Sequence, residues 1–254
     1  MRLFFQSIRF FALRLLGFPT RLRQFKNFLT PKKHKTSTQF RSVLEASTTT
    51  TTSSFANLPL SLRIGGVFFH LFDLLALPEL LDAAGQIFKW NTRTLSLVEL
   101  LEARRVFADS LPYEQIRIDE NSLFAKIGAW QSRSTQMGVS IFHTIHFTRQ
   151  LRCSPHSEDM AWLIHELVHV AQMHHIGSRY IGEAIHAQKT AGYDYGGPNN
   201  LKGKKMCDFN REQQGDIIKH YYLYALPKLF HPKYGYMDVN IYESYVEQLK
   251  NGIL

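Results

Sequence analysis

His165, Glu166 and His169 form a His-Glu-x-x-His pattern within the stretch Leu163–Gln172, which reads LIHELVHVAQ. On a helix, residues four apart emerge one turn apart on the same face, so the two imidazoles can share one metal ion. Glu166 lies beside them, placed to take a proton from a water that the metal activates. Between Met160 and Met173 the segment is apolar nearly all round, apart from these three residues and Gln172. A helix of that kind is buried, and an ionisable cluster buried without partners is costly; a metal ion relieves the cost. The pattern would arise by chance about 0.03 times in a chain of this composition, so two core histidines that merely hydrogen-bond is the weaker reading. Imidazole with carboxylate and an open position suits catalytic zinc, so Zn2+ is the expected cofactor and hydrolysis the expected chemistry.

Three residues compete to be the third protein ligand. His175 has the ligand spacing of the metzincins, but Gln172 stands where those have the glycine that turns the chain. On a continuing helix, His175 points roughly 80–120° away from the pair. Glu183 is favoured: Gly177 and Ser178 break the helix, and a second short helix over Tyr180–His186 would fold back and aim it at the histidines. His186 is the remaining alternative. Asp194 or Asp216 is expected to orient a ligand histidine.

A developing oxyanion needs a further donor, and Tyr193, Tyr195 and His220 are of the right type. Each is equally a packing residue in a chain with 11 Tyr and 12 His. Cys153 near His156 lacks an orienting third group, so a thiol nucleophile is the poorer reading.

Some of the helices and strands that carry these residues are legible in the sequence. Ser96 and Glu99 form a capping box that opens a helix through Val106. Ile116–Ile118 reads as a short strand, and the alternation over Val139–Phe147 as one longer strand whose edge can hold a peptide. Ser157 caps the helix that carries the histidines, with Glu158 and Asp159 complementing its dipole, and that helix is expected to run to about His174. Asn210 with Gln213 opens another, ending before Pro227. Strands and helices mixed in this way predict an α+β fold with a mostly helical C-terminal half.

The net charge of +9 is unevenly spread. Ten Lys or Arg precede the first acid, Glu45, and the remaining 20 basic residues face 21 acidic ones. The basic character therefore belongs to an arm, and no patch beyond it argues for nucleic acid. Residues 1–44, with Phe and Leu interleaved with Arg, fit a segment that lies on a membrane surface; a disordered basic tail is the alternative. Arg9 and Arg14 break the apolar run too early for a secretory signal. Ser47–Ser54 is a Ser/Thr linker. Val67–Leu81 is apolar but carries His70, Asp73 and Glu79, which marks a buried or amphipathic helix rather than a spanning one. The expected organisation is an arm and linker over 1–57, an apolar helical segment over 58–90 and a catalytic domain over 91–254. Two cysteines without metal spacing leave the compartment open.

Four stretches together resemble a known family: LIHELVHVAQ, then Arg179–Ala184 (RYIGEA), Tyr193–Gly196 (YDYG) and Phe209–Gln214 (FNREQQ). They resemble the zincin-like metallopeptidase domains of Vgr-related bacterial proteins, found near type VI secretion components. Glu99-x5-Arg105-Val-Phe107 and Ile116–Ile118 look similar too, and the resemblance spans about 91–225. It implies a zincin-like fold, with the histidine helix packed on a small mixed sheet, and a gluzincin-like site: His165, His169 and Glu183 on zinc, Glu166 as base. Ala187 stands where gluzincins often carry an acid that supports the first histidine. The implied activity is cleavage of a peptide or peptidoglycan peptide, in a bacterial protein delivered by a type VI-like route without a signal peptide. The alternative is a non-catalytic zinc module docked on a secretion apparatus. An intact Glu166 favours catalysis, because a structural site closes its fourth position and has no use for a base.

Overall fold

The computed structural model describes residue 22 and residues 60–78, 80–81 and 92–254. The expectations for the arm and the Ser/Thr tract fall outside the described residues. The chain is α+β and mostly helical.

Helix α1 (Leu60–Leu74) docks on the later helix over Arg179–Lys189. Among the described residues no helix is long and apolar enough to cross a membrane. Helix α2 (Leu97–Phe107) opens on the expected capping box: the Ser96 hydroxyl accepts from Glu99 N, and the Glu99 carboxylate accepts from Ser96 N. Strand β1 (Arg117–Asp119) and helix α3 (Leu123–Gln131) follow.

The alternating stretch expected as a single strand is a hairpin of β2 (Gly138–Ile141) and β3 (Thr144–Phe147). Its register pairs Ile141 with Thr144 and Gly138 with Phe147, so the chain reverses over Phe142 and His143. Phe142 takes a positive φ of 55° without being glycine or asparagine. Its ring is buried with Met173, Ile176 and Tyr180, and that packing holds a turn that no local turn residue announces. The sheet runs β1-β3-β2, with β1 parallel and β2 antiparallel to β3, so β2 is an edge strand.

Helix α4 (Glu158–Ile176) runs through the centre of the core, and most of its length is buried. Ser157 caps it by accepting from Met160 N, and Gly177 ends it at φ 75°, two residues beyond the expected His174. Helix α5 (Arg179–Lys189) restarts at once after Ser178, whose backbone N–H donates to the Asp73 carboxylate at 2.9 Å. After a short turn, α6 (Pro198–Leu201), comes α7 (Arg211–His220), opened by the expected Asn210–Gln213 box. A π-helical turn over Tyr221–Ala225 extends it towards Pro227. A small hairpin of β4 (Phe230–His231) and β5 (Gly235–Tyr236) and helix α8 (Val239–Lys250) complete the chain. What matters for the site is that α7 and β2 both pack directly against α4.

Candidate metal centre

His165, Glu166 and His169 lie on the buried helix α4, each no more than 5% exposed. Their third neighbour is Glu212, from the first turn of α7. One ligand atom from each of His165, His169 and Glu212 lies within 4.8 Å of the others. Glu212 Oε2 is 3.3 Å from His165 Nε2 and 3.5 Å from His169 Nε2. A tetrahedral ion with bonds of about 2.05 Å separates its ligand atoms by about 3.3 Å. The spacing therefore fits one small cation, and two imidazoles with one carboxylate are donors that zinc accepts.

Both histidines leave Nε2 for that position because Nδ1 is engaged elsewhere. His165 Nδ1 is 3.0 Å from Asp216 Oδ1, and His169 Nδ1 is 2.8 Å from Gln172 Oε1. Burial disfavours a charged His165, but hydrogen bonds to Asp216 and Glu212 outweigh it and push the pKa up to about 10. Burial likewise disfavours charge on His169, and Glu212 overcomes it, raising that pKa too. Glu212 answers in kind. Burial opposes its ionisation, yet His169 and His165 hold it well below the usual carboxylate range. Glu212 thus favours positive charge at this point, which imidazole protons or a metal cation can supply.

The expected third ligand, Glu183, is engaged elsewhere. Its Oε1 is 2.9 Å from Arg179 Nε and its Oε2 is 2.6 Å from Arg211 Nε. The second helix does fold back, as expected, but two guanidinium groups take its carboxylate, and α7 brings Glu212 in instead. His175 is pressed against Gly252 at the far end of α4, and His186 is outside the trio. Of the two aspartates expected to support a histidine, Asp216 does so; Asp194 accepts from Gly196 N, Lys233 and Tyr234 instead.

The expected oxyanion donors divide. Tyr193 reaches the trio: its ring centroid is 5.8 Å from that of His165, and burial, with Glu212 beside it, pushes the pKa of its hydroxyl up. Tyr195 is only 2% exposed, with its hydroxyl 2.7 Å from Tyr242 Oη and 2.9 Å from His220 Nδ1. Tyr195 and His220 therefore serve each other in a buried cluster. Burial lowers the His220 pKa to about 4, so the ring is neutral there. Cys153 and His156 do not pair. Burial and Glu99 push the thiol up, and His156 Nδ1 is 3.0 Å from the Tyr222 carbonyl oxygen.

Three residues with no expected role frame the site. Ser140 on β2 has its hydroxyl 2.9 Å from Glu166 Oε2, tying the carboxylate to the edge strand. Gly138 lies so close that a Cβ there would be 2.4 Å from Glu166 Oε1. Gly215 lets α7 approach α4: a Cβ there would sit 2.5–2.8 Å from three atoms of the His165 ring. Alanine normally improves a helix interior by up to about 1 kcal/mol over glycine. Here the ring is fixed by Asp216 and Glu212 and cannot yield, and overpacking of this kind costs about 1–3 kcal/mol. Gly215→Ala is accordingly expected to lower both stability and metal affinity, read by thermal melting and chelator competition. An unchanged affinity would mean that the helices do not meet as described.

A stretch of 137 residues, 52% of the chain, is 29% identical to the type VI secretion system spike protein VgrG2b of Pseudomonas aeruginosa. That stretch amounts to 13% of the spike protein's length, so the chain matches only a small part of it. No family model matches the chain. No solved structure matches it either.

Proposed function

We propose that the protein is a zinc-dependent peptidase or amidase whose metal is held by His165, His169 and Glu212, with Glu166 as its general base. The observation that carries this reading is the trio itself, three buried donors within 4.8 Å of one another, with the Glu166 carboxylate next to His165 on the same helix. When bound, zinc supplies Lewis-acid chemistry, polarising a carbonyl oxygen and making water more acidic. Glu166, steadied by the Ser140 hydroxyl, takes the proton of the attacking water and returns it to the leaving nitrogen. Tyr193, whose ring lies beside His165, is the proposed donor to the developing oxyanion.

The substrate class proposed is an extended peptide or peptidoglycan peptide. Strand β2 is the sheet edge next to Glu166, and a peptide can add to such an edge by main-chain hydrogen bonds. The similarity to a spike protein supports association with a type VI secretion apparatus and delivery by that route. A cleavage screen with peptide libraries and peptidoglycan fragments tests the activity. Zinc-dependent cleavage supports the proposal, and a zinc-loaded protein inert on both would favour a non-catalytic module. Residues 1–44 are proposed to touch anionic membranes peripherally. Vesicle co-sedimentation across a salt series tests this, and no binding at low salt would reject it.

A further inference from the structure

Gln172 and Gln214 are both fully buried, and their amides stand in a row between α4 and α7. Several neighbours of that row can act in only one direction. The carbonyl oxygens of Met206 and Phe209 only accept, and they lie 3.1 and 3.0 Å from one nitrogen, Gln214 Nε2. The Arg211 guanidinium only donates, and its Nη1 is 3.2 Å from Gln214 Oε1. The Gln214 amide therefore has one orientation, with its oxygen turned towards α4. Gln172 Nε2 donates to that oxygen at 2.9 Å and to the Arg211 carbonyl at 3.1 Å. This turns the Gln172 oxygen to His169, so Nδ1, 2.8 Å away, must be the ring atom that carries hydrogen. Nε2 is then the lone-pair atom of the neutral ring.

We propose that Gln214 and Gln172 form a direction relay that carries the polarity of two backbone carbonyls to His169 and fixes which of its nitrogens can bind metal. Both are positioning residues, and the inference rests on the metal reading given above. It also assigns a task to Glu183, which holds Arg211 at the outer end of the row. The two histidines are thus oriented by different means: His165 by a carboxylate, His169 by a chain of amides.

Zinc affinity of the full chain, measured by chelator competition, tests the relay in wild type, Gln172→Leu, Gln214→Leu and the double variant. Each single change is expected to weaken zinc by roughly 10–100-fold, although Gln214 touches no ligand. The double variant is expected to lose little more than the worse single one, because both break the same chain. Unchanged affinity in Gln214→Leu, or losses that multiply in the double variant, would overturn the relay while leaving the metal site standing. Nitrogen-15 NMR of zinc-loaded wild type gives a reading that does not depend on the variants folding. Hydrogen on His169 Nδ1 is expected; hydrogen on Nε2 would overturn the proposal. A wild type that binds no zinc would overturn the metal reading and the relay together.

Discussion

Glu166→Gln is expected to leave zinc bound and to cut hydrolysis by about 10²–10⁴-fold, the usual contribution of a positioned acid–base group. Glu166 is adjacent to His165 in sequence but is not one of the three converging donors, so its loss spares every proposed ligand. Glutamine keeps the size of the side chain and can still meet the Ser140 hydroxyl, but it cannot accept a proton. The fall should therefore appear in kcat, with the zinc content per chain unchanged. Loss of zinc in this variant would make Glu166 a ligand. Full activity would remove it from the mechanism and leave the open metal position without a base.

Glu212→Ala and Glu183→Ala are expected to fail in opposite ways. Removing Glu212 takes away one of three donors, so zinc affinity should fall by more than the roughly 10–100-fold typical of losing an outer partner. Removing Glu183 leaves the proposed ligand trio intact but deletes the carboxylate that Arg179 and Arg211, both buried, share. Breaking a buried pair by deleting one partner costs about 3–5 kcal/mol, so a drop in melting temperature on the order of 10 °C is expected. Glu183→Gln, which keeps the shape, should show a milder form of the same loss. Burial opposes ionisation of Glu183, but Arg211 and Arg179 win and depress its pKa. This stabilisation is therefore complete above the ordinary carboxylate range and is lost as pH falls through the depressed value. If Glu183→Ala loses zinc while Glu212→Ala keeps it, the two roles must be exchanged.

The contrast between these glutamates shows what the sequence could carry. The histidine helix was legible because its signals are local: Ser157 caps it, its apolar residues run all round, and His165 and His169 are one turn apart. The capping boxes at Ser96 and Asn210 were legible for the same reason. Glu212 was not, because its place depends on how α7 crosses α4, and no spacing rule spans that distance. A signal was nevertheless present. Glu212 and Asp216 are four apart on one helix face, with Gly215 beside them, so two carboxylates and a gap for a close neighbour were written together. The fold-back of α5 is legible in the sequence but the partners of Glu183 are not: Arg179 lies one turn before it and Arg211 on another helix. The reversal at Phe142 was hidden because buried packing, and no turn residue, holds it.

Anomalous scattering at the zinc absorption edge, from crystals of the zinc-loaded protein, locates the metal directly. One strong peak per chain is expected, bounded by His165 Nε2, His169 Nε2 and Glu212 Oε2, at bond lengths of about 2.0–2.2 Å. A peak coordinated by Glu183, or no peak between α4 and α7, would contradict it.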